Sequence, residues 1–318
     1  MNQTAVRDQF DCAEVGDYLR LMKPRVMSLA VFTAGVGILV APNPVHPVLF
    51  LGSVLFIALG AGAAGALNMW WDADIDGVMK RTRNRPIPAG RIGRESALAF
   101  GLWLAGISVG MLALTANFLA AGLLAAAIFY YVVIYSAWLK RLTPENIVIG
   151  GAAGALPPVI GWAAATGMIG FEGILMFLVV FLWTPPHFWA LALFTDEDYR
   201  KAGVPMLPVT HGEHVTRNRI LVYVIVLVPV SLVVAFTPIG GPVYMVLSLA
   251  LGFLLLSSAM ALRARKAEQA RQDRHERERT FFRFSIVYLF LLFLGLAADA
   301  GLKAAGLFTF WPIWFGVA

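Results

Sequence analysis

The sequence predicts an all-α protein that crosses a membrane nine times. Of its 318 residues, 59% are hydrophobic and only 14% are charged, and its mean hydropathy is +0.74. These values lie outside the range of a soluble domain of this length. A bilayer core about 30 Å thick needs about 20 apolar helical residues. Stretches of this kind lie at 24–42, 47–71, 95–114, 117–138, 146–166, 171–194, 218–237, 241–262 and 281–302.

The basic residues fall on one side of the predicted bundle. With the N-terminus in the cytoplasm, all of the 25 Lys and Arg residues except Lys303 lie in cytoplasmic segments. Positive residues concentrate in the cytoplasmic loops of membrane proteins. We therefore expect a protein of the bacterial inner membrane with a cytoplasmic N-terminus and a periplasmic C-terminus. The same asymmetry accounts for the net charge of +6 without a nucleic-acid partner.

The chain is expected to form one membrane domain with short ends. The predicted parts are a cytoplasmic segment at 1–23, the transmembrane domain at 24–302 and a tail at 303–318. The N-terminal segment contains acids and lacks the apolar core of a secretory signal peptide. A single cysteine, Cys12, excludes an intrachain disulfide.

The second span ends in "NMWWDADID", residues 68–76. Asn68, Asp72 and Asp76 are spaced i, i+4 and i+8, so a continuing helix presents them on one face. Asp74 points away. Carboxylates at this spacing repel one another, and the C-terminal end of a helix disfavours acids. A cation is therefore expected there, and carboxylate and amide oxygens suit Mg²⁺. The alternative is a solvated acidic loop neutralised by the arginines that follow.

Two basic stretches accompany these acids, "KRTRNRPIPAGR" at 80–91 and "YSAWLKR" at 135–141. Their ammonium and guanidinium groups suit the oxygens of a metal-bound diphosphate. The alternative is that they only determine topology. Pro86 and Pro88 are predicted to stop the helix and stiffen the loop, which topology alone does not require.

A second polar patch lies in "FLWTPPHFWALALFTDEDYRKAGVPMLPV", residues 181–209. Pro185 and Pro186 predict a broken or kinked helix, and a broken helix at membrane depth is tolerated where the backbone faces a cavity. Eleven residues separate His187 from Asp198, about three helical turns, so a resumed helix would place both on one face. The alternatives are a packing histidine and a solvated acidic loop.

Together with "YLRLMKPRVMSL" at 18–29 and the stretch at 135–164, these motifs resemble the UbiA superfamily of intramembrane prenyltransferases. The likeness runs in order from about residue 18 to residue 302. The stretches at 135–164 and 181–209 resemble the branch of the superfamily that modifies haem. The resemblance implies a nine-helix bundle around a cavity open to the membrane. It also implies a cytoplasmic cap formed by the loops after spans two and six.

The resemblance further implies transfer of the farnesyl group of farnesyl diphosphate to a vinyl group of haem B, with Mg²⁺ as cofactor. The implied metal ligands are Asp72, Asp76, Asp196 and Asp198, and the implied catalytic residues are Asn68, Asp72, Asp76, Asp198 and His187. The implied diphosphate-binding residues are Lys80, Arg83, Arg85, Lys140, Arg141 and Lys201. The implied aromatic lining of the prenyl pocket is Trp71, Tyr131 and Tyr135.

Two other functions are compatible with the sequence. A UbiA relative with an aromatic acceptor of a quinone pathway shares the diphosphate chemistry. A transporter would also have intramembrane polar groups, but its acids should lie near the bilayer midplane. The mixed-charge stretch 263–279 extends span eight into the cytoplasm and is a conceivable contact for an unknown partner of the haem pathway.

Overall fold

The computed structural model of the protein describes residues 13–308 and Trp311. Cys12, most of the predicted N-terminal segment and most of the predicted tail lie outside the described residues. Within them, every regular element is helical, which confirms the predicted all-α class.

The helices follow one another without strands in the described part of the chain. A π-helix at Tyr130–Trp138 and a short 3-10 turn at Leu139–Arg141 continue α6. The α-helices are α1 (Val15–Leu21), α2 (Pro24–Leu39), α3 (Pro47–Trp71), α4 (Ala73–Val78), α5 (Arg94–Thr115), α6 (Phe118–Phe129), α7 (Asn146–Ala155), α8 (Pro157–Thr166), α9 (Phe171–Leu193), α10 (Asp196–Lys201), α11 (Leu207–Val234), α12 (Pro242–Arg263), α13 (Ala267–Gln272) and α14 (Glu276–Ala304).

The helices agree with the predicted number of spans. Eight stretches of the described residues are long and apolar enough to cross a membrane, and the count becomes nine if α1 and α2 form one span bent by 59°. The seventh span was predicted to begin at residue 218, but its helix, α11, begins at Leu207. The first part of α11 is polar and contains a kink at Gly212, whose φ is +80°.

The loops after the even-numbered spans lie together at one end of the bundle. Arg141 binds Asp74 with a distance of 2.7 Å from Nη2 to Oδ1, which joins the loops after spans two and four. The Arg279 guanidinium lies 4.5 Å from the centre of the Phe194 ring, which joins the segments around spans six and nine. We call this end the cap side.

A small apolar cluster covers the cap side. Ile75 and Met79, which follow α3, are buried together with Tyr199, Val204 and Met206, which follow α9. The loops after spans two and six therefore pack on each other, as the predicted cap requires.

The predicted break at Pro185 and Pro186 is wrong. Helix α9 runs from Phe171 to Leu193 without interruption. The fixed φ of proline is compatible with a helix, and in membranes neighbouring helices support the backbone groups that proline leaves without a partner. Most of α9 is buried among such neighbours. The helix ends before Asp196, so His187 and Asp198 do not share one continuous helical face.

Helices α2 and α8 cross at very short distance because glycines face the opposing backbone. A Cβ atom on Gly37 would lie 2.3 Å from the Pro158 carbonyl oxygen, and one on Gly161 would lie 2.0 Å from the Ala34 carbonyl oxygen. Small residues allow such close approach between helices in membranes. The contact holds α2 against the bundle. It also positions Lys23, which directly precedes the first turn of α2.

We expect Gly161→Ala to destabilise the fold by about 1–3 kcal/mol, because the methyl group would overlap the Ala34 carbonyl. Gly154→Ala is the matched control, since a Cβ there meets nothing within 4 Å and alanine favours a helix by about 0.5–1 kcal/mol. Thermal unfolding of both variants in the same detergent measures the difference. Equal stability of the two variants would contradict the close crossing.

Candidate active site

Asn68 is the centre of a buried hydrogen-bond network at the cap end of α3. Its Nδ2 donates to Asp72 Oδ2 at 2.7 Å and to Ser136 Oγ at 2.8 Å. Its Oδ1 accepts a hydrogen bond from Lys23 Nζ. The Ser136 hydroxyl donates to the Tyr131 carbonyl at 2.8 Å, so its oxygen is left to accept from Asn68. These contacts fix the orientation of the amide.

Two buried carboxylates lie beside this amide, each paired with a cation. Lys140 Nζ lies 2.5 Å from Asp72 Oδ2, and Arg85 Nη1 lies 2.6 Å from Asp76 Oδ2. Lys23 is close enough to interact electrostatically with both acids and both bases. Three basic side chains, Lys23, Lys140 and Arg85, therefore surround two carboxylates, and the bases outnumber the acids.

One carboxylate oxygen of Asp72 takes no part in the contacts described above. Its side chain is fully buried, and Oδ1 has no hydrogen-bond partner in the described part of the chain. A buried carboxylate oxygen without a partner is costly and is expected to bind a group that the protein itself does not supply. A hard cation such as Mg²⁺ fits, because it takes one or two protein carboxylates and completes its shell with water and phosphate oxygens.

The predicted one-face arrangement is retained although α3 ends at Trp71. Asp72 lies in a turn between α3 and α4. The helical hydrogen bonds nevertheless continue, since Asp72 N donates to the Asn68 carbonyl and Asp76 N donates to the Asp72 carbonyl, both at 2.9 Å. Asn68, Asp72 and Asp76 therefore point into one interior region.

Asp74 lies on the outside, as the spacing predicted. Its carboxylate is half exposed and makes a two-point contact with the Arg141 guanidinium, at 2.7 and 2.8 Å. This contact lowers the pKa of Asp74 below its ordinary value. Arg141 is therefore bound to an acid outside the cluster.

The π-helix brings two tyrosines to the cluster. The rings of Tyr131 and Tyr135 stack with centroids 5.4 Å apart, and both interact electrostatically with Asp72. Gly150 makes room for them, since a Cβ there would lie 2.1 Å from Tyr135 Cδ2. π-helical turns occur often at functional sites.

Trp71 does not join the two tyrosines. Its side chain is 36% exposed and packs edge-on against Trp70. A helix turns by about 100° per residue, so the residue before an inward-facing Asp72 points outward. The predicted place of Trp71 in the aromatic lining of the prenyl pocket stays a prediction.

The acids after α9 remain apart from Asp72 and Asp76. Asp196 lies 3.6 Å from Arg200 within α10, and Asp198 is half-buried. In the residues that the structure describes, no three His, Cys, Asp or Glu side chains are grouped so as to hold a metal ion. A role for Asp196 and Asp198 as metal ligands stays a prediction.

Tyr199 links the second acidic stretch to the cluster. It is buried under the cap and interacts electrostatically with Arg81, Arg85 and Asp198. Burial raises the pKa of its phenol, and the nearby guanidinium of Arg81 opposes that rise. Tyr199 also lies near Tyr135, so the cap reaches the aromatic lining.

The remaining predicted diphosphate-binding residues lie in the loops of the cap side. They are exposed, and their role stays a prediction. Lys201 interacts only loosely with Glu197, at 3.8 Å. These residues are Lys80, Arg83, Arg141 and Lys201.

His187 lies away from the carboxylates. It is buried on α9, where its ring stacks between Trp183 and Phe282, and its Nδ1 lies 2.7 Å from Ser285 Oγ. No contact in the described residues joins it to Asp72 or the other acids. It is therefore a separate part of the site.

The sequence does not single out three residues of the site, and it includes a fourth, Arg81, only as part of the basic stretch. In the sequence, Lys23 counts only among the positive charges that determine topology. Its position directly before Pro24, where the first predicted span begins, is the one signal that could have singled it out. Ser136 lies inside the quoted "YSAWLKR", but its role depends on the π-helix. Arg81 lies in the basic stretch 80–91 and Tyr199 in the polar patch 181–209. Only the packing of the cap brings the two residues together.

The sequence profile of the UbiA prenyltransferase family matches residues 30–286. The chain belongs to the UbiA prenyltransferase family. Protoheme IX farnesyltransferase of Cereibacter sphaeroides is 60% identical over 295 residues, which cover 93% of this chain and 95% of the relative. The protein of the same name from Dinoroseobacter shibae is 59% identical over 295 residues, which cover 93% of this chain and 94% of the relative.

Two solved structures show that the fold is shared with other proteins. A structure of digeranylgeranylglyceryl phosphate synthase superposes with a TM-score of 0.72 at 18% identity, covering 90% of this chain and 98% of that one. A UbiA homologue from Archaeoglobus fulgidus, bound to GPP and Mg²⁺, gives a TM-score of 0.56 at 16% identity, covering 86% and 99%. The predicted UbiA-type bundle is confirmed.

We expect Asp72→Asn and Asp76→Asn each to reduce prenyl transfer at least about a hundredfold, as is typical when an electrostatic contact to a reacting group is lost. Asp74→Asn, which only breaks an exposed ion pair, should change the rate by less than about threefold. Steady-state rates of the three purified variants, each checked for folding by size-exclusion chromatography, measure this. Equal losses in all three would contradict the inward placement of only two of the acids.

Proposed function

We propose that this protein transfers the farnesyl group of farnesyl diphosphate to a vinyl group of haem B, forming haem O and releasing diphosphate. The observation that carries the proposal is its 60% identity, over 93% of the chain, to a protoheme IX farnesyltransferase. The excess of basic over acidic side chains around Asp72 supports the diphosphate half of the reaction.

The cluster has the side chains to hold a diphosphate. Lys23, Lys140 and Arg85 can donate to its oxygens, and their charges stabilise the negative charge that grows as the bond from carbon to oxygen breaks. The electron pair of that bond leaves with the diphosphate. Lys80, Arg83 and Lys201 in the loops of the cap side are proposed to contact the same group as it enters.

Mg²⁺ is the proposed cofactor, held by Asp72 and Asp76. The unpartnered Oδ1 of Asp72 supports this choice, as does the Mg²⁺ bound with GPP in the Archaeoglobus homologue. When bound, the ion would neutralise part of the diphosphate charge. Asp198 is the proposed additional ligand from the cap.

The aromatic lining and the cap protect the allylic cation. The face of Tyr131, with Tyr135 stacked on it, can stabilise a cation by roughly 1 kcal/mol or more. The apolar cluster of the cap keeps water away until the vinyl carbon has bonded to the farnesyl carbon. Water then adds to the resulting cation and releases a proton, which gives a hydroxyethylfarnesyl side chain.

Product analysis tests the function. The purified protein with farnesyl diphosphate and Mg²⁺ is expected to convert haem B to a hydroxyethylfarnesyl haem, detected by mass spectrometry, and to leave 4-hydroxybenzoate unchanged. Chelation of the metal should abolish turnover. Prenylated 4-hydroxybenzoate instead would favour a quinone-pathway enzyme. A transporter is disfavoured because the acids lie at the end of α3 rather than at its middle.

We also propose that the cap side faces the cytoplasm of a bacterial inner membrane. In a Cys12→Ser background, Asn84→Cys on the cap loop should react with a membrane-impermeant maleimide only after the cells are opened. Asn43→Cys, in the exposed connection between α2 and α3, should react in cells whose inner membrane is intact. The reverse labelling pattern would overturn the proposed orientation.

A further inference from the structure

His187 occupies a rigid aromatic slot between α9 and α14. Its ring stacks on Trp183 with centroids 4.4 Å apart and on Phe282 at 4.5 Å, with planes within 19° and 23° of parallel. Phe188 contacts it edge-on at 5.2 Å. Both faces of the imidazole are thus covered, and only its nitrogen edges are free to bind.

Ser285 determines which nitrogen of this ring holds the proton. Its hydroxyl lies 2.7 Å from the Phe282 carbonyl oxygen and 2.7 Å from His187 Nδ1. A carbonyl can only accept, and a hydroxyl has one hydrogen. The hydroxyl therefore donates to the carbonyl, and Nδ1 must donate its own hydrogen to Ser285 Oγ.

The other nitrogen then has a free electron pair. A neutral imidazole protonated at Nδ1 presents a lone pair at Nε2. In the described residues His187 forms no ion pair with a carboxylate, so nothing balances an imidazolium. Nε2 has no hydrogen-bond partner there, and it is not among the fully enclosed orphan atoms. Nε2 is therefore left without a partner among the described residues and is not completely enclosed.

The chemistry of a lone pair limits what that ligand is. Ionised phosphate oxygens also present lone pairs, so Nε2 has no attraction for the diphosphate. The carboxylates and vinyl groups at the edge of haem B offer no hydrogen to donate. The iron at its centre is an electron-pair acceptor, and neutral imidazole nitrogens are its common protein ligands.

We propose that His187 ligates the iron of the haem substrate through Nε2, with Ser285 as the positioning residue that fixes the tautomer. The inference rests on the proposed function, since it takes haem B as the acceptor. A hydrogen bond from the second ring nitrogen commonly orients such a ligand and strengthens it. The iron bond fixes the centre of the macrocycle relative to α9.

Binding of two porphyrins tests the iron bond without turnover. Ferric haem B and metal-free protoporphyrin IX are titrated into the full-length protein in detergent, with no farnesyl diphosphate. We expect His187→Leu to weaken haem B binding at least about tenfold and to shift its Soret band, while protoporphyrin IX binding changes less than about twofold. His214→Leu, an exposed histidine on α11, is the control and should change neither.

Two further variants separate ligation from packing. In His187→Gly, added imidazole should restore the wild-type spectrum, because it can occupy the vacated slot. Ser285→Ala keeps the ring but removes the partner of Nδ1, and should weaken haem B binding by about threefold to tenfold without affecting protoporphyrin IX. Failure of imidazole to restore the spectrum would overturn the proposal.

Equal changes in haem B and protoporphyrin IX binding in His187→Leu would also overturn it, because they would indicate a packing role. The outcomes for the reaction itself are separate. A wild-type protein that shows the His187-dependent spectrum but forms no farnesylated haem would refute the proposed function alone. A protein that forms the product with a spectrum insensitive to His187 would refute the iron bond alone.

Discussion

The buried charge of Asp72 is the constraint on which the cap end of the bundle depends. An ionised group without solvent is tolerated only when it is paired and hydrogen-bonded, and the partners of Asp72 come from distant parts of the chain. Lys140 follows the π-helix, and Lys23 reaches the same cluster through Asn68. The backbone of Lys23 is left-handed, with φ of 54°. This conformation costs about 1–2 kcal/mol outside glycine and persists because it aims the ammonium group inward.

The π-helix at Tyr130–Trp138 turns the end of span four into part of the site. Its wider turn places the Ser136 hydroxyl against the Tyr131 carbonyl five residues earlier. Ser136 is then positioned to hold Asn68, and the stacked tyrosines are positioned beside Asp72. A regular helix would rotate these side chains relative to one another. Local backbone irregularity here determines which groups line the site.

Those features of the fold and the site that depend on local periodicity and charge could be predicted from the sequence. The spans follow from apolar length, and the inward direction of Asp72 and Asp76 follows from their spacing of four residues. The place of Lys23 was not predictable, since it depends on a contact across 45 residues and on a left-handed backbone. Pro185 was misjudged because neighbouring helices, which a local pattern does not describe, support α9. The relation of Asp198 to the cluster depends on how the cap packs, which periodicity does not specify.

A second buried charge network differs from the first in the features on which the proposed binding site rests. Arg217 and Arg265 bind the two oxygens of Glu278 near the start of α14. Arg217 also binds Glu213 in α11, and Arg265, which follows α12, also binds Asp273, which follows α13. Acids outnumber bases in it, and both oxygens of the fully buried carboxylate are occupied, so it has nothing to offer an anion. Such a network joins helix ends. Around Asp72 the bases outnumber the acids and one carboxylate oxygen has no partner. That imbalance is unfavourable for the protein alone, and the proposed joint binding of Mg²⁺ and a diphosphate would relieve it, which is the physical reason to propose catalysis there.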